Sequence, residues 1–294
     1  MTLNIQLIDK CNLACKMCNF VDNMKHEEMS IDNFTRILEK TEGLLIHGKK
    51  VSNIRIDGNG EPLLYKEIKT AILEVKKRFP ECRITTNGTL LTEKLSCDII
   101  ESGLSNLVVS VTGITSGVYK HFQGYGKTEN QLRMQFNNVV SNVERFAWLN
   151  KNKYNNAVNL QICYCLSKDS LKDAAGSAYF WKEKGVNSII FMSINSGLGK
   201  VKETYDKYIG STEYCPSNIC FETISILSNG DVCVCCNDSI RASTEIMGNI
   251  YETDLKEMVN SNKYRAFVDS IRTFDIESLP SCCQKCDLIR VSVH

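Results

Sequence analysis

The chain has 294 residues, 43% of them hydrophobic, and a formal net charge of +1. That length suits one large domain or a domain with a small appendage, and near neutrality offers nothing to hold nucleic acid or an anionic membrane surface. Fifteen cysteines against four histidines, with no signal-peptide pattern and no apolar run of about 18 residues, exclude a secreted disulfide scaffold and a membrane span. They favour metal or redox chemistry in a reducing cytoplasm.

A segment of strand character at 3–8 runs directly into Cys11, Cys15 and Cys18, spaced C-x3-C-x2-C. Further strands are predicted at 51–57, 82–86, 106–112, 158–165 and 188–194. Helices are predicted near 30–46, 65–78, 92–102, 128–149, 170–184 and 252–270. Strand–helix alternation of this kind makes a mainly parallel sheet with helices packed outside it. From about residue 206 the alternation stops and cysteines cluster, which divides the chain into 1–205 and a C-terminal domain over 206–294.

The predicted strands also alternate internally with period two. One face carries Ile5, Leu7, Ile54, Ile56, Ile84, Val109, Val111, Leu160 and Ile162. The other carries Gln6, Arg55, Asp57, Thr85, Asn87, Ser110, Thr112, Gln161, Cys163 and Cys165. A barrel filled only by its own side chains has an apolar interior. A polar second face predicts an open, ligand-holding lumen; the alternative is a set of polar strand ends at a rim.

Three motifs carry the chemistry of the first part. Three thiolates can hold three irons of a cubane iron–sulfur cluster and leave the fourth iron open, whereas four close it. The competing reading, structural zinc, wants four ligands. Asp57-Gly58-Asn59-Gly60-Glu61-Pro62 follows the second strand, Thr85-Thr86-Asn87-Gly88 ends the third, and Ser110 lies near the end of the fourth. Read singly, each is an ordinary turn or strand end. Together with the cysteines they resemble the radical S-adenosylmethionine (SAM) superfamily, which implies an α/β fold, a partial (β/α)6 barrel. In that family the open iron binds SAM, and reductive cleavage of SAM removes a hydrogen atom from an unactivated C–H bond. The resemblance places Cys11, Cys15 and Cys18 on the cluster and Met17, where the family usually has an aromatic residue, against adenine. It assigns Gly58, Gly60, Glu61 and Pro62 to the SAM amino group, and Thr85, Asn87 and Ser110 to the region of its ribose and carboxylate. It also implies an electron donor of flavodoxin or ferredoxin type.

The second part contains Cys215, Cys220, Cys233, Cys235, Cys236, Cys282, Cys283 and Cys286, with Asn229-Gly230 between two strand-like runs. Asn-Gly in that setting signals a hairpin. The pattern resembles the SPASM/twitch domains, a β-hairpin plus helix around an auxiliary cluster. The resemblance implies a second [4Fe–4S] cluster held by Cys215 or Cys220, Cys235, Cys283 and Cys286, with a zinc ribbon as the competing reading. Eight residues follow Cys286, so one auxiliary cluster is expected. Cys82, Cys97, Cys233 and Cys282 read as small apolar residues.

Two outcomes stay open. Twitch dehydrogenases of the 2-deoxy-scyllo-inosamine type oxidise a polar sugar or aminocyclitol, with the auxiliary cluster as electron acceptor. Radical SAM epimerases and peptide maturases use a cysteine to return a hydrogen atom, for which Cys236 is a candidate and Cys163 and Cys165 weaker ones. The cluster motif begins at residue 11, leaving no room before it for a leader-binding domain, which favours the small polar substrate over a peptide. An activase for a partner enzyme and an electron-transfer or metal-storage protein are the remaining alternatives. The first would carry ferredoxin-type cysteine runs, and the second would leave the Gly58–Pro62 and Thr85–Gly88 segments without a role.

Overall fold

The computed structural model describes residues 1–18, 25–123, 126–193, 222–234, 246–273, 275 and 277–284. Six strands form a parallel array: β1 (Thr2–Ile5), β4 (Asn53–Ile56), β5 (Glu81–Thr86), β6 (Asn106–Val111), β7 (Asn159–Leu166) and β8 (Ser188–Ser193). Helices α1 (Ile31–Thr41), α2 (Ile68–Arg78), α3 (Glu93–Glu101), α4 (Ser116–Gln123), α5 (Glu129–Asn152) and α6 (Leu171–Glu183) fill the crossovers. This is the mainly parallel sheet with helices in its crossovers that strand–helix alternation predicts, and it is consistent with the partial (β/α)6 barrel that the resemblance implies.

Local chemistry explains the starts and stops. Ser30 caps α1 by accepting from the Asn33 N–H at 3.2 Å, with Asp32 in the first turn. Thr128 and Gln131 form a reciprocal capping box at the start of α5. The helix predicted over 30–46 ends at Thr41, and β2 (Leu45–Ile46) and β3 (Lys49–Lys50) form a hairpin instead. His47 and Gly48, at φ 52° and 74°, supply the two left-handed residues that a tight two-residue turn demands. The helix predicted over 252–270 is likewise two: α7 (Leu255–Asn260) and α8 (Asn262–Thr273). Ser261 separates them, and its hydroxyl accepts from the Tyr264 N–H at 3.2 Å.

The apolar face of the array is buried in one core. Ile5, Ile54, Ile56, Ile84, Val109, Val111, Leu160 and Ile162 are all fully enclosed there. The opposite face is mostly polar as predicted; its apolar exceptions among the described strands include Val108, which is buried, and Ile190 and Met192 on β8. Towards the chain's end, β9 (Thr223–Ile226), β10 (Asp231–Cys233) and β11 (Ile246–Asn249) do not form a separate sheet. β9 pairs parallel with β1, matching Ser225 to Asn4, so the sheet order is β11-β10-β9-β1-β4-β5-β6-β7-β8. Asn229-Gly230 does turn the β9–β10 hairpin. A Cβ on Gly230 would lie 2.5 Å from the Tyr251 ring and 2.8 Å from the Asn249 amide oxygen, so only glycine fits. A short helix, α9 (Ser281–Gln284), follows. The expected division at 205/206 falls outside the described residues.

Candidate active site

The cysteine loop leaves the carboxyl end of β1 and packs on the loop that follows β4. The Glu61 N–H donates to the Lys10 carbonyl at 2.7 Å. A Cβ on Gly60 would meet the Ile8 carbonyl oxygen at 2.1 Å and that of Lys10 at 2.9 Å. Gly60 is therefore required by the contact between the two loops. Gly58, at φ 140°, packs over Gln6.

Glu61 is 2% exposed, and its carboxylate is already committed. It accepts from the Thr86 hydroxyl at 2.6 Å, the Asn87 N–H at 2.8 Å and the Leu63 N–H at 3.0 Å. Burial raises its pKa, and the three donors oppose that rise. The Glu61 side chain thus bonds the β4 loop to the β5 loop. Pro62 opens the 3-10 turn Pro62–Leu64 that Glu61 caps.

Asn87 does similar work rather than facing open space. Its amide donates to the Asn12 side chain at 2.9 Å and lies 3.9 Å from the Cys11 sulfur. Its oxygen accepts from the Thr89 N–H at 2.9 Å and the Thr89 hydroxyl at 2.6 Å. Asn12 donates to the same hydroxyl at 2.8 Å. Asn12 and Thr89 were not singled out from the sequence; a polar residue immediately after the first cysteine was the available signal.

The thiols of Cys11, Cys15 and Cys18 share this loop, with the Cys18 N–H turned back to the Cys15 carbonyl at 2.9 Å. The Leu13 N–H points at the Cys11 sulfur at 3.4 Å. Burial, together with the charges of the neighbouring thiolates, raises the pKa of Cys11 and, further, of Cys15. Three thiolates pressed together in a desolvated loop need a cationic partner to ionise. Among the described residues no three Cys, His, Asp or Glu side chains converge as they would on one metal ion. Three cysteines can hold three irons of a cubane cluster, whereas structural zinc wants four ligands, so the donor set fits an iron–sulfur cluster better than zinc. Met17 is half-buried beside them.

Below this mouth lies the polar face. Thr85 donates to Asp57 at 3.3 Å and Gln161 to Ser188 at 2.8 Å. Ser110 lies 3.8 Å from the Cys165 sulfur, and its carbonyl accepts from the Gln123 amide at 3.0 Å. Gln123 also accepts from Thr112 at 3.1 Å; it sits on α4, a helix not predicted from the sequence. Cys163 and Cys165 share a hydrogen bond in which Cys163 donates, holding the Cys165 pKa down and the Cys163 pKa up. Cys165 is close enough for its charge to act on Cys15.

Of the other predicted positions, Cys283 is buried on α9. Cys215, Cys220, Cys235, Cys236 and Cys286 lie outside the described residues. Cys82 and Cys233 are fully buried, and Cys97 packs against the core.

Comparison with known proteins agrees with this geometry. Residues 5–134 match the radical SAM superfamily, and residues 215–287 match SPASM, an iron–sulfur cluster-binding domain. The chain is 33% identical over 111 residues to the tungsten-containing aldehyde ferredoxin oxidoreductase cofactor-modifying protein of Pyrococcus furiosus, covering 37% of this chain and 30% of that one. It is 32% identical over 144 residues to a probable GTP 3',8-cyclase of Archaeoglobus fulgidus, covering 49% and 43%. The chain thus spans less than half the length of either relative. Among solved structures, BtrN in complex with AdoMet and 2-DOIA superposes with a TM-score of 0.59 at 17% identity, over 97% of this chain and 92% of that one. Streptococcus suis SuiB bound to its precursor peptide SuiA gives 0.71 at 16%, over 99% and 70%. AnSMEcpe with AdoMet and the Cp18Cys peptide gives 0.68 at 17%, over 92% and 83%. At these identities the superpositions establish the fold.

An open partial barrel whose first loop carries three cysteines, followed by an iron–sulfur domain, defines a class of enzyme built around radical chemistry. The chain carries a radical SAM domain over residues 5–134 and a SPASM iron–sulfur cluster-binding domain over 215–287. Its cofactors are SAM and two [4Fe–4S] clusters. No helix among the described residues is long and apolar enough to cross a membrane.

Proposed function

We propose that the enzyme dehydrogenates a polar small molecule, such as a sugar or aminocyclitol, held in the lumen beneath the cysteine loop. Cys11, Cys15 and Cys18 would hold the SAM-binding cluster. Bound there and reduced, SAM and the cluster supply a 5′-deoxyadenosyl radical able to take hydrogen from an unactivated carbon. Cys215 or Cys220, with Cys235, Cys283 and Cys286, would hold the auxiliary cluster, which supplies one-electron redox capacity. Reduction from outside is the task of a flavodoxin- or ferredoxin-type donor.

The observation that carries the reading is the three-thiol loop at the carboxyl end of the parallel strands, set over a polar lumen. Ligands of such sheets bind at that end. The chain's own residues do the positioning. Glu61 and Asn87 hold the cysteine loop against the strand ends, while Thr85, Ser110 and Gln161 offer hydrogen-bonding groups to a hydroxylated substrate. Catalysis of this kind rests on placement and on excluding water from the reacting atoms.

A second reading, epimerisation, rests on Cys163 and Cys165. A thiol at the mouth of the lumen could return a hydrogen atom to a substrate radical, a role for which Cys236 is the other candidate. Two experiments separate these readings. Anaerobically reconstituted protein with dithionite and SAM should release 5′-deoxyadenosine, and the Cys11, Cys15 and Cys18 triple alanine variant should not; release by the variant would end the assignment. Turnover in D2O then decides the outcome. Dehydrogenation gives a product lighter by two hydrogens without solvent deuterium at the reacting carbon, and epimerisation gives an isomer carrying one deuterium there.

A further inference from the structure

Arg55 and Arg83 are paired in register on neighbouring parallel strands. Each is flanked by residues of the apolar core, Ile54 and Ile56 for the first and Cys82 and Ile84 for the second, so both side chains project from the polar face. They lie one pleat below the Asp57–Thr85 row, about 7 Å deeper from the mouth. Both Nε atoms are buried without a hydrogen-bond partner. Among the described residues neither guanidinium makes an ion pair within 4 Å. The charge of Asp57 reaches both, without contact, and the two arginines act on each other as like charges. Glu81 also lies on this face, but it is exposed and accepts from Asn106 at 3.2 Å. Cys163 is the other ionisable neighbour of Arg83.

Two like charges placed side by side with one shared acid cost the folded protein stability. A guanidinium with idle donors in a lumen lacks what its geometry is made for, a planar or tetrahedral oxyanion. We propose that Arg55 and Arg83 form an oxyanion subsite on the lumen floor, and that the substrate enters with a phosphate or carboxylate group leading. This rests on the reading of the lumen as the substrate chamber, and it narrows the substrate from polar to anionic. The recognised group then sits on the floor, and the carbon to be attacked sits above it, nearer the cysteine loop.

The test is equilibrium dialysis of the anaerobically reconstituted holoenzyme against radiolabelled inorganic phosphate and, separately, acetate, at fixed ionic strength. One anion should bind per chain, and which of the two binds more tightly distinguishes phosphate from carboxylate. Arg55→Gln and Arg83→Gln should each weaken binding about tenfold or more. Asp57→Asn removes the one shared countercharge and should tighten it. That opposite sign keeps the test decisive where a glutamine variant fails to fold. Absence of binding for both anions, unchanged binding in the glutamine variants, or weaker binding in Asp57→Asn would overturn the subsite. Release of 5′-deoxyadenosine is measured on the same samples. SAM cleavage without anion binding removes only the subsite, and anion binding without SAM cleavage removes only the catalytic reading.

Discussion

The junction around Glu61 and the lumen floor around Arg55 are only a few residues apart in the chain, and they are in opposite states. At the junction every side-chain oxygen of Glu61 is occupied, by three donors from two loops. On the floor, two arginines stand side by side with buried donors idle. The difference teaches how to tell scaffold from ligand site. A buried group whose partners all belong to the protein holds the protein together. A buried group whose partners are missing is held ready for something else, at a cost in stability.

Four substitutions can break or sharpen that contrast. Gly60→Ala should have the largest effect, because the added carbon meets the backbone of Ile8 and Lys10 and neither loop can yield without displacing the cysteines. The expected loss exceeds about 3 kcal/mol, with iron falling from about eight to about four atoms per chain; unchanged iron would mean that the loops are not rigidly coupled. Glu61→Gln comes next. An amide nitrogen must face at least one buried N–H or hydroxyl donor, at about 1–3 kcal/mol, read as a lower melting temperature with or without SAM. Asn87→Ala removes the brace between Asn12, Thr89 and Cys11. We expect about 1 kcal/mol and a shifted spectrum or potential of the SAM-binding cluster, which a purely structural role would leave alone. Arg83→Gln should move stability the other way. Relieving a like-charge pair across neighbouring strands is worth about 0.2–1 kcal/mol, so the ligand-free variant should melt slightly above the parent. A clear drop would show that Arg83 is part of the scaffold after all.

The junction and the floor were not equally legible. The cysteine spacing, the strand alternation and the polar second face could all be read from neighbouring residues, because period and spacing are local properties. That Glu61 serves Thr86 and Asn87 could not, since the partners are 25 and 26 positions away and meet only once β4 and β5 lie side by side. The same holds for Asn12 and Asn87, which are 75 positions apart. Helix boundaries failed for a different reason. Leu44, Leu45 and Ile46 continue the apolar pattern of α1, but His47 and Gly48 take left-handed conformations and turn the chain into a hairpin. Arg55 could be placed on the lumen face from its apolar neighbours. That its donors lack partners is visible only when the whole floor is assembled.

The pairing of β9 with β1 also governs how the molecule is made. Strand β1 is flanked by β4 on one side and, on the other, by residues 223–226, which follow some two hundred positions later. At roughly 5–20 residues per second of synthesis, that edge waits on the order of ten to forty seconds for its neighbour. During that interval β1 presents unpaired backbone and the apolar side chains Leu3 and Ile5, a combination that recruits other chains. Slow translation, crowding or a chain cut short before residue 223 should therefore be expressed first as aggregation of nascent protein, with chaperones competing for the bare edge of β1.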